Sequence, residues 1–211
     1  FINRLILIKE KFDSFDASQK KNVYIPAGTY ELDRTLNVKG ENMIISGAGI
    51  WYTNIQFTKT NGGDGGISGG GLGGKEICNN IEICHMYLNS NLRSRNGMNG
   101  YYDGIINLWK NGFIHDIWED HFTIGFCIGS SQNRINYSDG VKIINCRARN
   151  NHADGIHLNQ GTSMQLYIIV HQEIMEMMVL PCGMILLQEQ KTKKTMYFVT
   201  ILLILFGEQE Q

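Results

Sequence analysis

The sequence predicts an all-β chain wound as a right-handed parallel β-helix, and three observations predict it. The 211 residues hold 24 Gly and 2 Pro, which signals many turns rather than long helices. Short β-type runs recur roughly every 20 to 40 residues, the pattern of a solenoid whose coils stack strand on strand. Asn stands where the runs break, as in Asn79-Asn80 and Asn150-Asn151, and Asn tolerates left-handed backbone angles while its side chain bonds locally. An antiparallel sandwich is the competing architecture, but its two-residue hairpin signals are scarce.

The elements follow in order. Ile2 to Phe12 is the only candidate helix before residue 163 and would serve as a cap. Val23-Tyr24-Ile25 opens the strands and leads into Pro26-Ala27-Gly28-Thr29-Tyr30. Then come Thr35 to Val38, Met43 to Ser46 and Asn54 to Thr58, followed by Asn80 to Asn89, Gly104 to Trp109 and Gly112 to Trp118. Ile124 to Ile128, Gly140 to Arg147 and Gly155 to Asn159 complete the series. These runs have strand-typical length and are separated by Gly, Asn, Asp and Ser. Alternation is clear where Ile81 and Ile83 are interleaved with Glu82 and Cys84, and where Val141 and Ile143 are interleaved with Lys142 and Ile144.

Composition narrows the function classes. A hydrophobic content of 43% suffices for a core, and a formal net charge of -1 argues against nucleic acid held by bulk electrostatics. No signal-peptide pattern precedes the fold, and with Phe1 at its head the chain is expected to lack its natural start. Met196 to Phe206 is too short to span a bilayer. Cys78, Cys84, Cys127, Cys146 and Cys182 show no paired metal-ligand spacing, so they are expected as free thiols, Cys84, Cys127 and Cys146 buried among apolar neighbours.

Beyond Thr162 the composition breaks. From Met164 onward a Met, Ile, Leu and Gln mixture replaces the Gly and Asn. When Glu173 to Val179 is back-translated and read from the third base of each codon, Asn-Asn-Gly-Asp-Asp-Gly is permitted, and its Gly, second Asp and final Gly are forced. The same offset forces Ala from Met164-Gln165 and Val from Met196-Tyr197. Residues 164–211 are therefore expected to be an out-of-frame tail rather than a native domain. The alternative is a genuine helical tail built on Ile168 to Leu180 and Met196 to Phe206.

Several runs carry a resemblance. Tyr24-Ile25-Pro26-Ala27-Gly28-Thr29-Tyr30 resembles the opening coil of pectate-lyase-like β-helix proteins. Gly47-Ala48-Gly49-Ile50-Trp51-Tyr52-Thr53-Asn54 is narrower and resembles glycoside hydrolase family 87, the α-1,3-glucanases and mycodextranases. Gly69-Gly70-Gly71, Asn89 to Arg95, Ile117-Trp118 with His121-Phe122, and Asn151-His152-Ala153-Asp154-Gly155-Ile156 follow in the family's order. The likeness covers about residues 17 to 163 and implies that residues 1–163 are the N-terminal part of an incomplete catalytic β-helix.

The implied activity is hydrolysis of α-1,3-glucosidic bonds with inversion, by carboxyl groups on one face of the solenoid. In inverting enzymes one carboxyl protonates the leaving oxygen while another activates water, at about 6.5 to 9.5 Å separation. Asp154 matches one family acid. The other two would be the consecutive aspartates of the offset frame, which this chain lacks. Strict alternation would put Asp154 on the inward side with Ile156 and Leu158 unless 153–155 is still turn, which Gly155 favours. Among the aromatics, Tyr101 and Tyr102 in a Gly- and Asn-rich loop are expected to contact sugar, and Trp109 and Trp118 to pack. Asp103, Glu119, Asp120 and His121 lie near strand ends, where they are expected to line the cleft, with solvated turn carboxylates as the alternative, and Asp120 stands where the family carries Glu. His152, beside Asp154, joins Asp120 and His121 as an expected substrate contact.

No metal site is expected from His152, Asp154 and His157, whose spacing sets the two histidines on opposite faces of a strand. No cofactor is expected beyond room for a structural Ca²⁺, and the run from Gly62 to Gly74 lacks the Lys-Ser or Lys-Thr of a phosphate loop. The expected partner is an α-glucan, without nucleic acid or membrane, for a secreted monomer. A pectate-lyase-like enzyme and a non-catalytic carbohydrate-binding or structural β-helix are the other readings; Arg147 and Arg149 provide the charge a lyase needs, without its dense Asp cluster.

Overall fold

The computed structural model describes residues 22–60, 65–70, 78–93, 102–129, 138–159 and 162, together with the backbone of 164–173. The expected cap from Ile2 to Phe12, Tyr101, and the sequence beyond residue 173 lie outside these residues. Among the described residues there are fourteen strands and no helix. They form two sheets of nine and five strands, parallel throughout. The coils of a parallel β-helix are legible in the strand order. β1 (Val23–Ile25), β2 (Gly28–Leu32) and β3 (Leu36–Val38) make the first turn, and β4 (Glu41–Gly47), β5 (Thr53–Phe57) and β6 (Ile67–Gly69) the second. β7 (Cys78–Ser90) and β8 (Ile105–Asn107) make the third, and β9 (Trp109–Lys110), which pairs in parallel with the start of β7, opens the fourth. β10 (Phe113–Asp120) with β11 (Phe126–Ile128) and β12 (Val141–Arg149) with β13 (Ile156–Leu158) follow, and β14 (Met164–Glu173) pairs in parallel with β12.

Stacking in register turns each inward position into a ladder. Val23, Ile45, Ile83, Ile114 and Ile143 are successive partners along one face. Leu36, Ile67, Ile105, Phe126 and Ile156 are successive partners on the five-stranded sheet. All but Ile156 are buried, and each such aliphatic side chain contributes about 1.5–3 kcal/mol by leaving water. Trp109 fits because Gly69 lies under its ring, where a Cβ would come within 2.5 Å of the indole.

The bends between faces are made by left-handed residues at matching places on successive coils. Asn42, Asn80 and Asn111 occupy one corner (φ 56°, 53° and 48°), His85, Asp116 and Asn145 a second (φ 57°, 50° and 50°), and His121 and Asn150 a third (φ 63° and 51°). Asn and Asp tolerate this region because their short polar side chains bond locally. The corners are tied coil to coil as well: Asn80 Nδ2 donates to Asn42 Oδ1 at 2.8 Å and Asn111 Nδ2 to Asn79 Oδ1 at 3.1 Å.

Candidate active site

The second half of β10 carries the candidate site. Trp118 and Asp120 point outward, with Tyr87 and Asn89 of β7 beneath them and Arg147 and Arg149 of β12 above. Asp120 is outward-facing yet only 2% of its side chain is exposed, because polar groups close around it. Its Oδ2 accepts from Arg149 Nε at 2.7 Å and from the Tyr87 hydroxyl at 3.0 Å, and its Oδ1 from Asn150 Nδ2 at 2.9 Å. His121 Nδ1 lies 2.9 Å from the same Oδ1. Burial, with the Asp120 charge next, pushes the Tyr87 phenol up to about 12, so it stays a donor to the carboxylate. The left-handed residues His121 and Asn150 end β10 and β12 respectively, and both bring their side chains to Asp120.

Asp154 lies in the turn between β12 and β13, as Gly155 favours, and not on the inward side of a strand. Its side chain is 31% exposed and its Oδ2 is 2.9 Å from His157 Nδ1. The turn is pinned from below: Asp154 O accepts from Gly125 N at 3.0 Å, His152 N donates to Phe122 O at 2.8 Å, and Ala153 N to Thr123 O at 2.8 Å. His152 turns its ring the other way, with Nε2 3.2 Å from Leu92 O.

Two expected cleft acids are instead buried. Glu119 is fully buried on the inward ladder Ile55, Leu88, Glu119 and Ala148. The left-handed Asp116 absorbs one residue of alternation, so Ile117 and Glu119, not Trp118 and Asp120, face inward. Glu119 Oε1 accepts from Asn151 Nδ2 at 2.6 Å, while Oε2 has no hydrogen-bond partner among the described residues. Burial holds its carboxyl well above the usual range. Asp103 is also buried, against Cys127, His157 and Asp154, and burial pushes its carboxyl up to about 7, with Cys127, the Ile124 backbone and His157 opposing the rise and Asp154 adding to it. Both carboxyls are thus raised by burial, and the Asp103 charge adds to the rise at Glu119.

Tyr102 corrects the expectation of a sugar contact. It is 0% exposed, edge-on to Phe122 at 5.8 Å, and its ring occupies the space a Cβ on Gly65 would need. Trp109 packs as expected, whereas Trp118 is half-buried with one edge against Trp51 at 4.4 Å, and the Arg147 guanidinium lies 5.0 Å from its ring centre. Trp51 is 73% exposed, Tyr52 65% and Tyr24 59%, so among the described residues exposed aromatic surface lies at the β4–β5 turn and on β1. Sequence reasoning missed Tyr87 and Arg149 as the partners of Asp120. Their signal is strand register, which emerges only once β7, β10 and β12 are stacked. Cys78, Cys84, Cys127 and Cys146 are free and buried.

The fold belongs to the parallel β-helix class, with carboxylates presented from consecutive coils. Residues 7–173 match the family described as alpha-1,3-glucanase catalytic domain D2, and the chain belongs to that family. It is similar to the Agl-KA catalytic domain, with 35% identity over 78% of this chain and 28% of that one and a TM-score of 0.62. An aspartate-to-alanine variant of a GH87 α-1,3-glucanase catalytic domain, in complex with tetrasaccharides, aligns at 24% identity over 78% of this chain and 27% of that one, TM-score 0.50. The A-module of the Azotobacter vinelandii mannuronan C-5 epimerase AlgE4 shares the fold at 20% identity over 78% of this chain and 46% of that one, TM-score 0.53. The chain thus spans less than a third of the glucanase domains it resembles. No curated protein matches it.

Proposed function

We propose that the chain is the opening portion of a polysaccharide glycoside hydrolase that cleaves α-1,3-glucosidic bonds with inversion, and that by itself it has little or no activity. The observation that carries this reading is Asp154, a carboxylate held outward by a pinned turn one coil above Asp120. Strands of adjacent coils lie about 4.8 Å apart, so acids on neighbouring or next-neighbouring coils span the separation inverting hydrolysis needs. In that chemistry one carboxyl gives its proton to the glycosidic oxygen as the bond to the anomeric carbon breaks. A second takes a proton from the water that attacks the opposite face. Asp154 fills one of these roles, and His157 orients it. The Asp-Asp pair encoded one base out of frame within 173–179 fills the rest, so residues 164–211 are read as an out-of-frame tail. Asp120, fixed by Arg149 and Tyr87, and His121 beside it face the glucan. The protein is a secreted monomer that acts without a cofactor.

The test restores the offset frame, expresses the enzyme and follows reducing sugar from α-1,3-glucan. The restored enzyme releases sugar, the chain as written does not, and Asp154→Asn in the restored enzyme loses at least a hundredfold in rate. Near-normal release by that variant sinks the assignment of Asp154.

A further inference from the structure

The second corner of the solenoid gathers side chains that no glycan chemistry uses. In a straight strand consecutive side chains leave opposite faces. The left-handed conformation at His85 and Asp116 breaks that rule, so Cys84 and His85 leave the same outward side of the sheet, as do His115 and Asp116, with the Cys84 thiol itself covered by its neighbours. Register then sets Cys84 beside His115 on adjacent coils. Glu82, two residues before Cys84, shares that surface. Its Oε1 is 3.1 Å from His115 Nε2 and 3.6 Å from Cys84 Sγ. The His85 and His115 rings meet edge to face at 5.1 Å, and the ligand atoms of Cys84, His85 and His115 all lie within 4.8 Å of one another.

We propose that Cys84, His85 and His115, with the Glu82 carboxylate as fourth ligand, form a site for a borderline-soft divalent cation of the zinc type. One sulfur, two imidazoles and one carboxylate are the donors such an ion takes in tetrahedral coordination, whereas Ca²⁺ takes oxygens alone. Metal-ligand bonds of about 2.0–2.3 Å put tetrahedral ligands about 3.3–3.8 Å apart. The Glu82 to Cys84 separation of 3.6 Å falls in that range and the Glu82 to His115 separation of 3.1 Å lies just short of it. The outer shell is in place too. His115 Nδ1 is 2.7 Å from Asp116 Oδ2, the carboxylate-histidine arrangement that fixes the tautomer and leaves Nε2 as the ligand atom, and Asn145 Nδ2 holds the other oxygen of Asp116. Phe113 stacks on the His115 ring at 4.3 Å and limits its rotation. Binding is proton-balanced: Cys84 gives up its thiol proton to solvent as its sulfur takes the metal, and His115 binds through the Nε2 lone pair that its Nδ1 contact with Asp116 leaves available. The site lies five residues before Asp120 on β10 and does not depend on the glucanase reading.

Cobalt(II) tests it in the chain as written, freed of metal by chelation. One equivalent is expected to give thiolate-to-cobalt charge-transfer absorption with tetrahedral ligand-field bands, and Zn²⁺ to displace it. Cys84→Ser abolishes the charge-transfer band, and His85→Gln, at a corner where the side chain is 47% exposed, weakens binding at least tenfold. Absence of the band, its survival in Cys84→Ser, or an unchanged affinity in His85→Gln would overturn the proposal.

Discussion

The Glu119 carboxyl and the Asn151 amide are joined across two coils by a 2.6 Å hydrogen bond. Asn151 in turn accepts from Phe122 N at 3.0 Å, so a buried acid and a backbone amide both hold the residue that opens the Asp154 turn. Asn151→Ala leaves both without a partner. A buried group so orphaned costs about 1–3 kcal/mol, and chemical denaturation is expected to show a loss of about 2–4 kcal/mol. Glu119→Gln keeps an acceptor and removes the ionisable proton, so at neutral pH it is expected to be neutral or stabilising.

Asp103 makes stability depend on pH. An unfolded chain releases this proton near the ordinary value of 3.8, and the folded chain keeps it up to about 7. Its contribution is therefore complete below about pH 4 and is lost as pH rises to about 7, on the order of 4 kcal/mol in all. Glu119, raised in the same sense, adds to the loss above its ordinary 4.5. Melting temperatures measured from pH 4 to pH 8 are expected to fall, and Asp103→Asn to flatten the slope by raising the alkaline end.

Gly125 is the close approach that makes room for Glu119. A Cβ there would sit 2.0 Å from Glu119 Oε1 and 2.7 Å from Gly155 O. Gly125→Ala is expected to cost about 1–3 kcal/mol by overpacking and to loosen the turn that presents Asp154. Hydrogen exchange at Gly125 N, whose bond runs to Asp154 O, reports both effects.

Trp51 is expected to matter for glycan binding more than for stability. Its edge contact with Trp118 is worth about 0.5–1.5 kcal/mol, and the rest of its ring already faces water. Trp51→Ala should melt within that margin of the parent and lower affinity for α-1,3-linked oligosaccharides about three- to tenfold, the range one such aromatic contact allows. Tryptophan fluorescence titration reads it.

Thiol reagents are expected to leave Cys78, Cys84, Cys127 and Cys146 unmodified in the native chain and to react once it unfolds. Burial pushes the Cys84 thiol up to about 11 and raises those of Cys127 and Cys146 as well, which keeps them protonated and poorly nucleophilic. Mass spectrometry at increasing denaturant follows the change.

Much of the winding was legible in the sequence. The runs around Val23, Met43, Asn54, Asn80, Gly112 and Gly140 are strands, because their apolar positions fall where a pleated ribbon needs them. The Asn positions were legible as turns for the reason that makes them corners. What alternation could not reveal is its own interruption: the apolar spacing slips from two to three between Ile83 and Met86, Ile114 and Ile117, and Ile143 and Cys146. A left-handed residue sits inside each gap. Without that slip Glu119 reads as a cleft acid and Trp118 as core. The turn position of Asp154 was legible because Gly155 marks it, and the burial of Tyr102 was not, since nothing local shows that Gly65 leaves space for its ring.

The left-handed corners have a bearing on how this architecture diversifies. Because equivalent bends recur on each revolution and engage only the revolutions above and below, a whole revolution can be gained or shed by recombination at the bends without re-engineering the interior. The trough along the outer wall would lengthen or shorten in steps of one ribbon width. Substrate span and chemistry can then evolve separately, the first by the number of revolutions and the second by which residues occupy a single rung.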